Sequence, residues 1–165
     1  MKKEDACAQV RILVVDDHEP FRRFISSTLR KQTNLQVIGE VQDGLEAVRQ
    51  AETLQPDLIL LDMGLPRLNG IEAARRIGEL APNARIIFLT QESSPDVVRE
   101  AFHLGAWGYV VKVQAGQELL IAVESVMQGK RFVSSGLDGH SGPRVGPQVT
   151  GDEETPLDIA SPVER

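Results

Sequence analysis

The chain is poor in several things that would otherwise define it. It has one cysteine, Cys7, so it forms no internal disulfide, and Cys7 has neither a CxxC pattern nor a nearby histidine to make it catalytic. Aromatic residues are only 4% of the total, and 18 Lys and Arg against 24 Asp and Glu leave a net charge of -6. That balance disfavours unaided gripping of phosphate backbones or anionic membranes. No apolar run approaches the roughly 18 residues of a membrane span. The opening Met1-Lys2-Lys3-Glu4-Asp5 lacks the apolar stretch of a secretory signal, so the expectation is a cytoplasmic protein with a reduced thiol.

What is present is divided unevenly. Residues 1–133 hold every aromatic, with 18 acidic and 16 basic residues, while residues 134–165 hold 6 acidic and 2 basic residues, five Gly and four Pro. A segment of the second kind buries too little apolar surface to offset its ordering entropy. The reading is an N-terminal arm over 1–9, one folded domain over 10–133 and a disordered Gly/Pro/acidic tail over 134–165.

Within 10–133 two periods alternate. Short apolar runs occur at Ile12–Val15, Leu58–Leu61, Ile86–Leu89 and Tyr109–Val111, with a weaker one at Leu35–Ile38. Continuous apolar runs fit strands covered on both faces, as in a parallel sheet. Between them lie helical patterns, the first carrying Phe21, Phe24, Ile25, Thr28 and Leu29 on one face. Asp43 with Glu46 and Asn69 with Glu72 read as capping boxes, and Ser94-Pro95 as an N-cap followed by a helix-starting proline. Gly105 and Gly129 are placed to end the fourth and fifth helices. Five β-α units of this kind predict an open α/β sheet.

In such sheets ligands bind beyond the carboxyl ends of the strands. The first strand runs into Asp16-Asp17, the third ends in Asp62, the fourth in Thr90, and the fifth leads to Lys112. Three carboxylates on one edge repel unless a cation joins them, and an oxygen-only, partly open set suits Mg²⁺. One ionised carboxylate then serves as a nucleophile toward phosphorus, with a hydroxyl and an ammonium spreading the charge on the phosphoryl oxygens. Singly, each residue has a plainer role. Asp17 could cap the first helix, Asp62 precede a turn at Pro66, Thr90 sit in a loop and Lys112 be solvated. The joint placement carries the reading.

Residues 10–133, about three-quarters of the chain, resemble the receiver domain of two-component response regulators. The matching stretches are Ile12-Leu13-Val14-Val15-Asp16-Asp17, Pro56-Asp57-Leu58-Ile59-Leu60-Leu61-Asp62, Leu65-Pro66-Arg67-Leu68-Asn69-Gly70, Ile86-Ile87-Phe88-Leu89-Thr90 and Gly105-Ala106-Trp107-Gly108-Tyr109-Val110-Val111-Lys112. The style is similar to receivers that precede a LuxR-type helix-turn-helix. The resemblance implies a doubly wound, flavodoxin-like (βα)5 sheet of order 2-1-3-4-5. It implies Asp62 as phosphoacceptor, and Asp17, Asp62 and the Gly64 carbonyl as direct Mg²⁺ ligands, with Asp16 acting through a metal-bound water. Thr90 and Lys112 would bind the phosphoryl oxygens, and Tyr109 would be a switch turning inward as Thr90 moves. Gly64 places no side chain over Asp62, where many members carry Asn or a bulkier group. Val113 stands where members often have proline after the lysine, and a cis bond there without proline costs about 2.5–4 kcal/mol.

No helix-turn-helix follows residue 133 in this sequence, so the expectation is a stand-alone receiver without direct nucleic-acid or membrane contact. Its donor would be a sensor histidine kinase or a phosphotransfer protein. Its output would be a downstream protein meeting the face of the fourth helix, fifth strand and fifth helix, and a homodimer through that face is compatible with the resemblance. The alternative is a transcriptional regulator acting through a partner's DNA-binding domain. A Mg²⁺-dependent phosphohydrolase would want an acid two residues after Asp62, where Gly64 stands, and a flavin protein would need a phosphate-cradling loop. His18, His103 and His140 lack partner clusters, Trp107 is assigned to packing, and Arg22-Arg23, Arg30-Lys31 and Arg75-Arg76 read as solvated helix faces. The alternative for these pairs is contact with a kinase or phosphotransfer helix, for which Arg22-Arg23 is the better placed because it lies near the active edge.

Overall fold

The computed structural model describes residues 9–91, 94–134 and 144–145. Cys7, His140 and the greater part of the expected tail lie outside the described residues. The strands are β1 (Val10–Val15), β2 (Leu35–Val41), β3 (Leu58–Asp62), β4 (Arg85–Thr90), β5 (Gly108–Val111), β6 (Phe132–Val133) and β7 (Arg144–Val145). The helices are α1 (Glu19–Arg30), α2 (Gly44–Leu54), α3 (Gly70–Leu80), α4 (Pro95–His103) and α5 (Ala115–Met127). The sheet order is β2-β1-β3-β4-β5-β6-β7, parallel from β2 through β6, so the expected 2-1-3-4-5 core stands.

The apolar runs are explained by burial on both faces. Leu58, Ile59, Leu60 and Leu61 of β3 have no exposed surface. Alternate residues point to opposite sides. Leu13, Val15, Ile59, Leu61, Phe88 and Tyr109 pack with α2, α3 and α4. Ile12, Val14, Leu58, Leu60, Ile87, Leu89 and Val110 pack with α1 and α5. Each fully buried side chain of this size contributes about 1.5–3 kcal/mol. β2 lies at the edge, and only Leu35 and Val41 of it are buried, which is why its apolar run is weak.

The helix ends follow their side chains. Asp43 accepts from the Glu46 amide at 2.8 Å and Asn69 from the Glu72 amide at 2.9 Å, while Ser94 accepts from the Asp96 amide at 3.2 Å. The glutamates of the two expected capping boxes turn outward instead, Glu46 to Arg49 and Gln50 and Glu72 to Arg75 and Arg76. Gly105 and Gly129 take the left-handed conformation expected after α4 and α5, with φ of 93° and 86°.

The structure departs from expectation at two places. The first is on α1, where Phe24 is exposed and Arg22 is buried, so Arg22 leaves the solvated face expected for it while Arg23 keeps that face. Arg22 is buried because its guanidinium has polar work inside: Nη1 donates to the Asp16 carbonyl at 2.9 Å, and Nε meets Glu40 Oε1 at 3.3 Å. The second is the sheet edge, where β6 adds in parallel to β5 and β7 pairs antiparallel with β6. Ser134, which composition placed in the tail, is fully buried and donates its amide to the Tyr109 carbonyl at 2.8 Å. The step after Lys112 agrees with the cost of a cis bond that lacks proline. Among the described residues no peptide bond is cis, and Lys112–Gln114 form a single 3-10 turn leading into α5.

Candidate functional site

The site lies where β1, β3, β4 and β5 end side by side. In-register pairing of Val15 with Leu61, Asp62 with Leu89 and Thr90 with Val111 brings the residues that leave these strands to one edge. Carboxylate oxygens of Asp16, Asp17 and Asp62 lie within 4.8 Å of one another. Asp16 and Asp62 are buried, while Asp17 is exposed. The helix-capping role open to Asp17 is not taken: His18 occupies the N-cap of α1 without a side-chain cap bond.

Lys112 supplies the internal cation. Its Nζ is 2.7 Å from Asp16 Oδ2 and 3.4 Å from Asp62 Oδ2, and it lies 4.9 Å from the centre of the Phe21 ring. Asp16 Oδ1 accepts from the His18 amide at 2.8 Å, and Asp62 Oδ1 accepts from the Gly64 amide at 3.1 Å. Burial pushes the Asp62 carboxyl above its ordinary range, and the Asp16 charge adds to that, while the Gly64 amide and Lys112 work the other way. The Asp62 charge is therefore held at a cost that a nearby cation would relieve.

Above these groups opens a cavity of about 500 Å³ lined by Asp17, His18, Asp62, Met63, Gly64, Ile71, Thr90, Gln91, Val97 and Lys112. Thr90 is buried at its wall. Gly64 lines it without a side chain, and a Cβ built there meets nothing within 4 Å. The donor set is oxygen only, with a buried pair and one exposed carboxylate, which fits a divalent cation that keeps some of its waters. Tyr109 is fully buried and belongs to the apolar cluster facing α2, α3 and α4, so its ring already points inward. His18 lines the cavity but stands outside the acidic cluster, and His103 is exposed on α4. The guanidinium groups of Arg85 and Arg131 both lie over the Trp107 ring, 4.5 and 5.2 Å from its centre.

Sequence reasoning missed Arg22, Phe21 and Ser134. Arg22 fixes the backbone of Asp16, and Phe21 lies against the Lys112 ammonium. A cation immediately after a helix start, one turn from an acidic pair, was the available signal for Arg22.

An oxygen cluster at the strand ends of a doubly wound sheet, crossed by one lysine, defines a phosphoacceptor module of the signalling kind. The chain belongs to the response regulator receiver domain family, whose match spans residues 12–124. It is 35% identical over 126 residues to the response regulator UvrY of Escherichia coli (strain K12), covering 76% of this chain and 58% of that protein. It is 35% identical over 130 residues to the transcriptional regulatory protein LiaR of Bacillus subtilis (strain 168), covering 79% and 62% respectively. Among solved structures, a LuxR-family two-component response regulator from Aurantimonas sp. SI85-9A1 is 33% identical with a TM-score of 0.74, over 79% of this chain and 93% of that one. The chain thus spans about three-fifths of the length of these curated relatives. Receivers accept phosphoryl groups and interact with histidine kinases; they are signalling modules rather than turnover enzymes, and an acidic triad of this kind is typical of their Mg²⁺ sites. Among the described residues no helix is long and apolar enough to cross a membrane.

Proposed function

We propose that Asp62 is the phosphoacceptor of a Mg²⁺-dependent, cytoplasmic receiver that takes its phosphoryl group from a histidine kinase or a phosphotransfer protein. The observation that supports this best is the Lys112 ammonium set between Asp16 and Asp62 beside a cavity wide enough for a phosphoryl group. Asp17, Asp62 and the Gly64 carbonyl would hold the ion, with Asp16 reaching it through water. The bound ion would offset the carboxylate charges and polarise the phosphoryl oxygens.

In the transfer, a carboxylate oxygen of Asp62 forms a bond to phosphorus as the phosphorus–nitrogen bond to the donor imidazole breaks. The imidazole leaves with the bonding pair and takes up a proton. No general base is needed, because the nucleophile is already ionised. Lys112 and the Thr90 hydroxyl stabilise the transferred oxygens. The phosphoryl group then favours the state in which Thr90 and Lys112 both reach it, with Tyr109 as the switch side chain behind Thr90. The α4–β5–α5 face reports that state to a protein partner, a second copy of the chain included.

The test is intact mass after incubation with acetyl phosphate and Mg²⁺. One phosphoryl adduct that requires Mg²⁺ and is lost in Asp62→Asn is the expected result, and an adduct that survives in Asp62→Asn refutes the assignment. A second reading, a transcriptional regulator working through a partner's DNA-binding domain, is favoured by LiaR's name and by the LuxR-family structure. A shift of promoter DNA only when a full-length partner regulator is present would select it.

A further inference from the structure

Ser134 is a buried polar residue that the phosphoryl-binding reading does not use, and it sits at the back of the site. It has no exposed surface, although it directly follows the short strand β6. Its amide donates to the Tyr109 carbonyl at 2.8 Å, and its Oγ accepts from the Val111 amide at 3.0 Å. The same hydroxyl donates to Glu118 on α5. A serine hydroxyl has one proton to give and lone pairs to receive, so one Oγ satisfies both contacts.

These bonds bracket the last three residues of β5. β6 ends at Val133, whose partner is Tyr109, so the pairing of strands ends before Val111. The Ser134 hydroxyl takes over where the strand partner stops, at the amide directly preceding Lys112. On its other side Lys112 enters a 3-10 turn and then α5, which Glu118 anchors to the same hydroxyl. The backbone on both sides of Lys112 is therefore tied to one side chain that itself touches neither Asp16 nor Asp62.

We propose that Ser134 is the positioning residue for Lys112: by closing the end of β5 and joining it to α5, its hydroxyl sets the reach of the ammonium between Asp16 and Asp62. This inference rests on the proposed role of Lys112 in phosphoryl binding. Without the hydroxyl, the buried Val111 amide has lost its acceptor and the strand end is free to shift, and small displacements at a reacting centre carry large penalties in rate.

The test uses the full chain as wild type, Ser134→Ala, Ser134→Thr, Lys112→Ala and the Ser134→Ala/Lys112→Ala double variant. The rate of phosphorylation by acetyl phosphate should fall about three- to tenfold in Ser134→Ala, an expectation scaled from the loss of one buried hydrogen bond. It should recover in Ser134→Thr, and the double variant should be no slower than Lys112→Ala alone. A wild-type rate in Ser134→Ala, or a loss that multiplies with that of Lys112→Ala, overturns the proposal. A second readout needs no phosphoryl group or metal: the side-chain ¹⁵N resonance of Lys112, one of five lysines, assigned by its loss in Lys112→Arg. It should move in Ser134→Ala and return in Ser134→Thr, and an unmoved resonance overturns the proposal. If no variant takes a phosphoryl group, the phosphoacceptor reading fails while the resonance still decides the role of Ser134. Should Ser134→Ala fail to fold, Glu118→Ala replaces it, because the hydroxyl then loses its anchor on α5 and the same resonance should move.

Discussion

Replacing Asp62 by asparagine should stabilise the fold in magnesium-free buffer at neutral pH, even though it removes the proposed acceptor. Asp62 is buried, with Asp16 within 4.8 Å and Lys112 at 3.4 Å. At an effective dielectric of about 20, the Asp16 repulsion is about 3.5 kcal/mol and the Lys112 attraction about 5 kcal/mol. Asp17 is exposed, so screening leaves it about 0–1 kcal/mol of further repulsion. The pairwise terms nearly cancel, and the burial penalty of several kcal/mol per ion decides the sign. Asparagine keeps an oxygen for the Gly64 amide, and Lys112 keeps Asp16 at 2.7 Å. The net gain should be on the order of 1–3 kcal/mol, or about 3–5 °C in Tm for each kcal/mol in a domain of this size.

The sign with pH follows from the raised pKa of Asp62. Between its ordinary value and its raised one, the folded state holds a proton that the unfolded state has released. The stability this group contributes is therefore full below the ordinary value of 3.8 and is lost as pH rises through the raised value. Asparagine stands in for the neutral acid, so the gap between variant and wild type should be small in acid and widen toward neutrality. Mg²⁺ should close it again, since a ligand at a hundredfold excess over its Kd adds about 2.7 kcal/mol to the state that binds it, and the variant lacks one of three carboxylates. Thermal or urea unfolding in EDTA at several pH values, then with Mg²⁺, reads all three effects. A destabilised variant in EDTA at neutral pH, or a gap that does not widen with pH, refutes the reasoning.

Three further outcomes follow from single contacts. Gly108→Ala would set a Cβ 2.9 Å from Ile87 Cγ1 and should cost about 1–3 kcal/mol by urea unfolding, whereas a neutral effect would mean β4 and β5 are not so closely apposed. Arg22→Ala strips the Asp16 carbonyl and Glu40 of a shared donor and should cost about 1–3 kcal/mol, with Glu40→Gln in the same chain recovering part of the loss; no recovery would mean that Glu40 is not the partner that matters. Gly64→Asn meets no steric obstacle, so stability should stay within about 0.5 kcal/mol. The same variant covers Asp62 from water, so the phosphoryl group should last severalfold longer in a time course on phosphate-affinity gels, and an unchanged lifetime would show that water reaches it by another path.

The convergence of Asp16, Asp17, Asp62, Thr90 and Lys112 was legible because it depends on periodicity alone. Once the apolar runs are read as parallel strands, the polar residue after each run must emerge at the same edge, and burial of every residue from Leu58 to Leu61 bears that reading out. The α1 face was misread because hydrophobic spacing says which stripe of a helix turns inward and nothing about the needs of the backbone beneath it. The carbonyl of buried Asp16 requires a donor, and Arg22 supplies one while Phe24, two residues on, is left outside. Ser134 escaped for the same reason at the opposite edge of the sheet. Composition averaged over 134–165 describes a segment that cannot build a core, but Ser134 is not needed for a core. It completes hydrogen bonds that β6 is too short to make, at the amide before Lys112. Periodicity therefore locates the reacting groups, and the backbone atoms beside them that need partners locate residues that hold them: Arg22 bonds the carbonyl of Asp16, and Ser134 bonds the amide of the residue before Lys112.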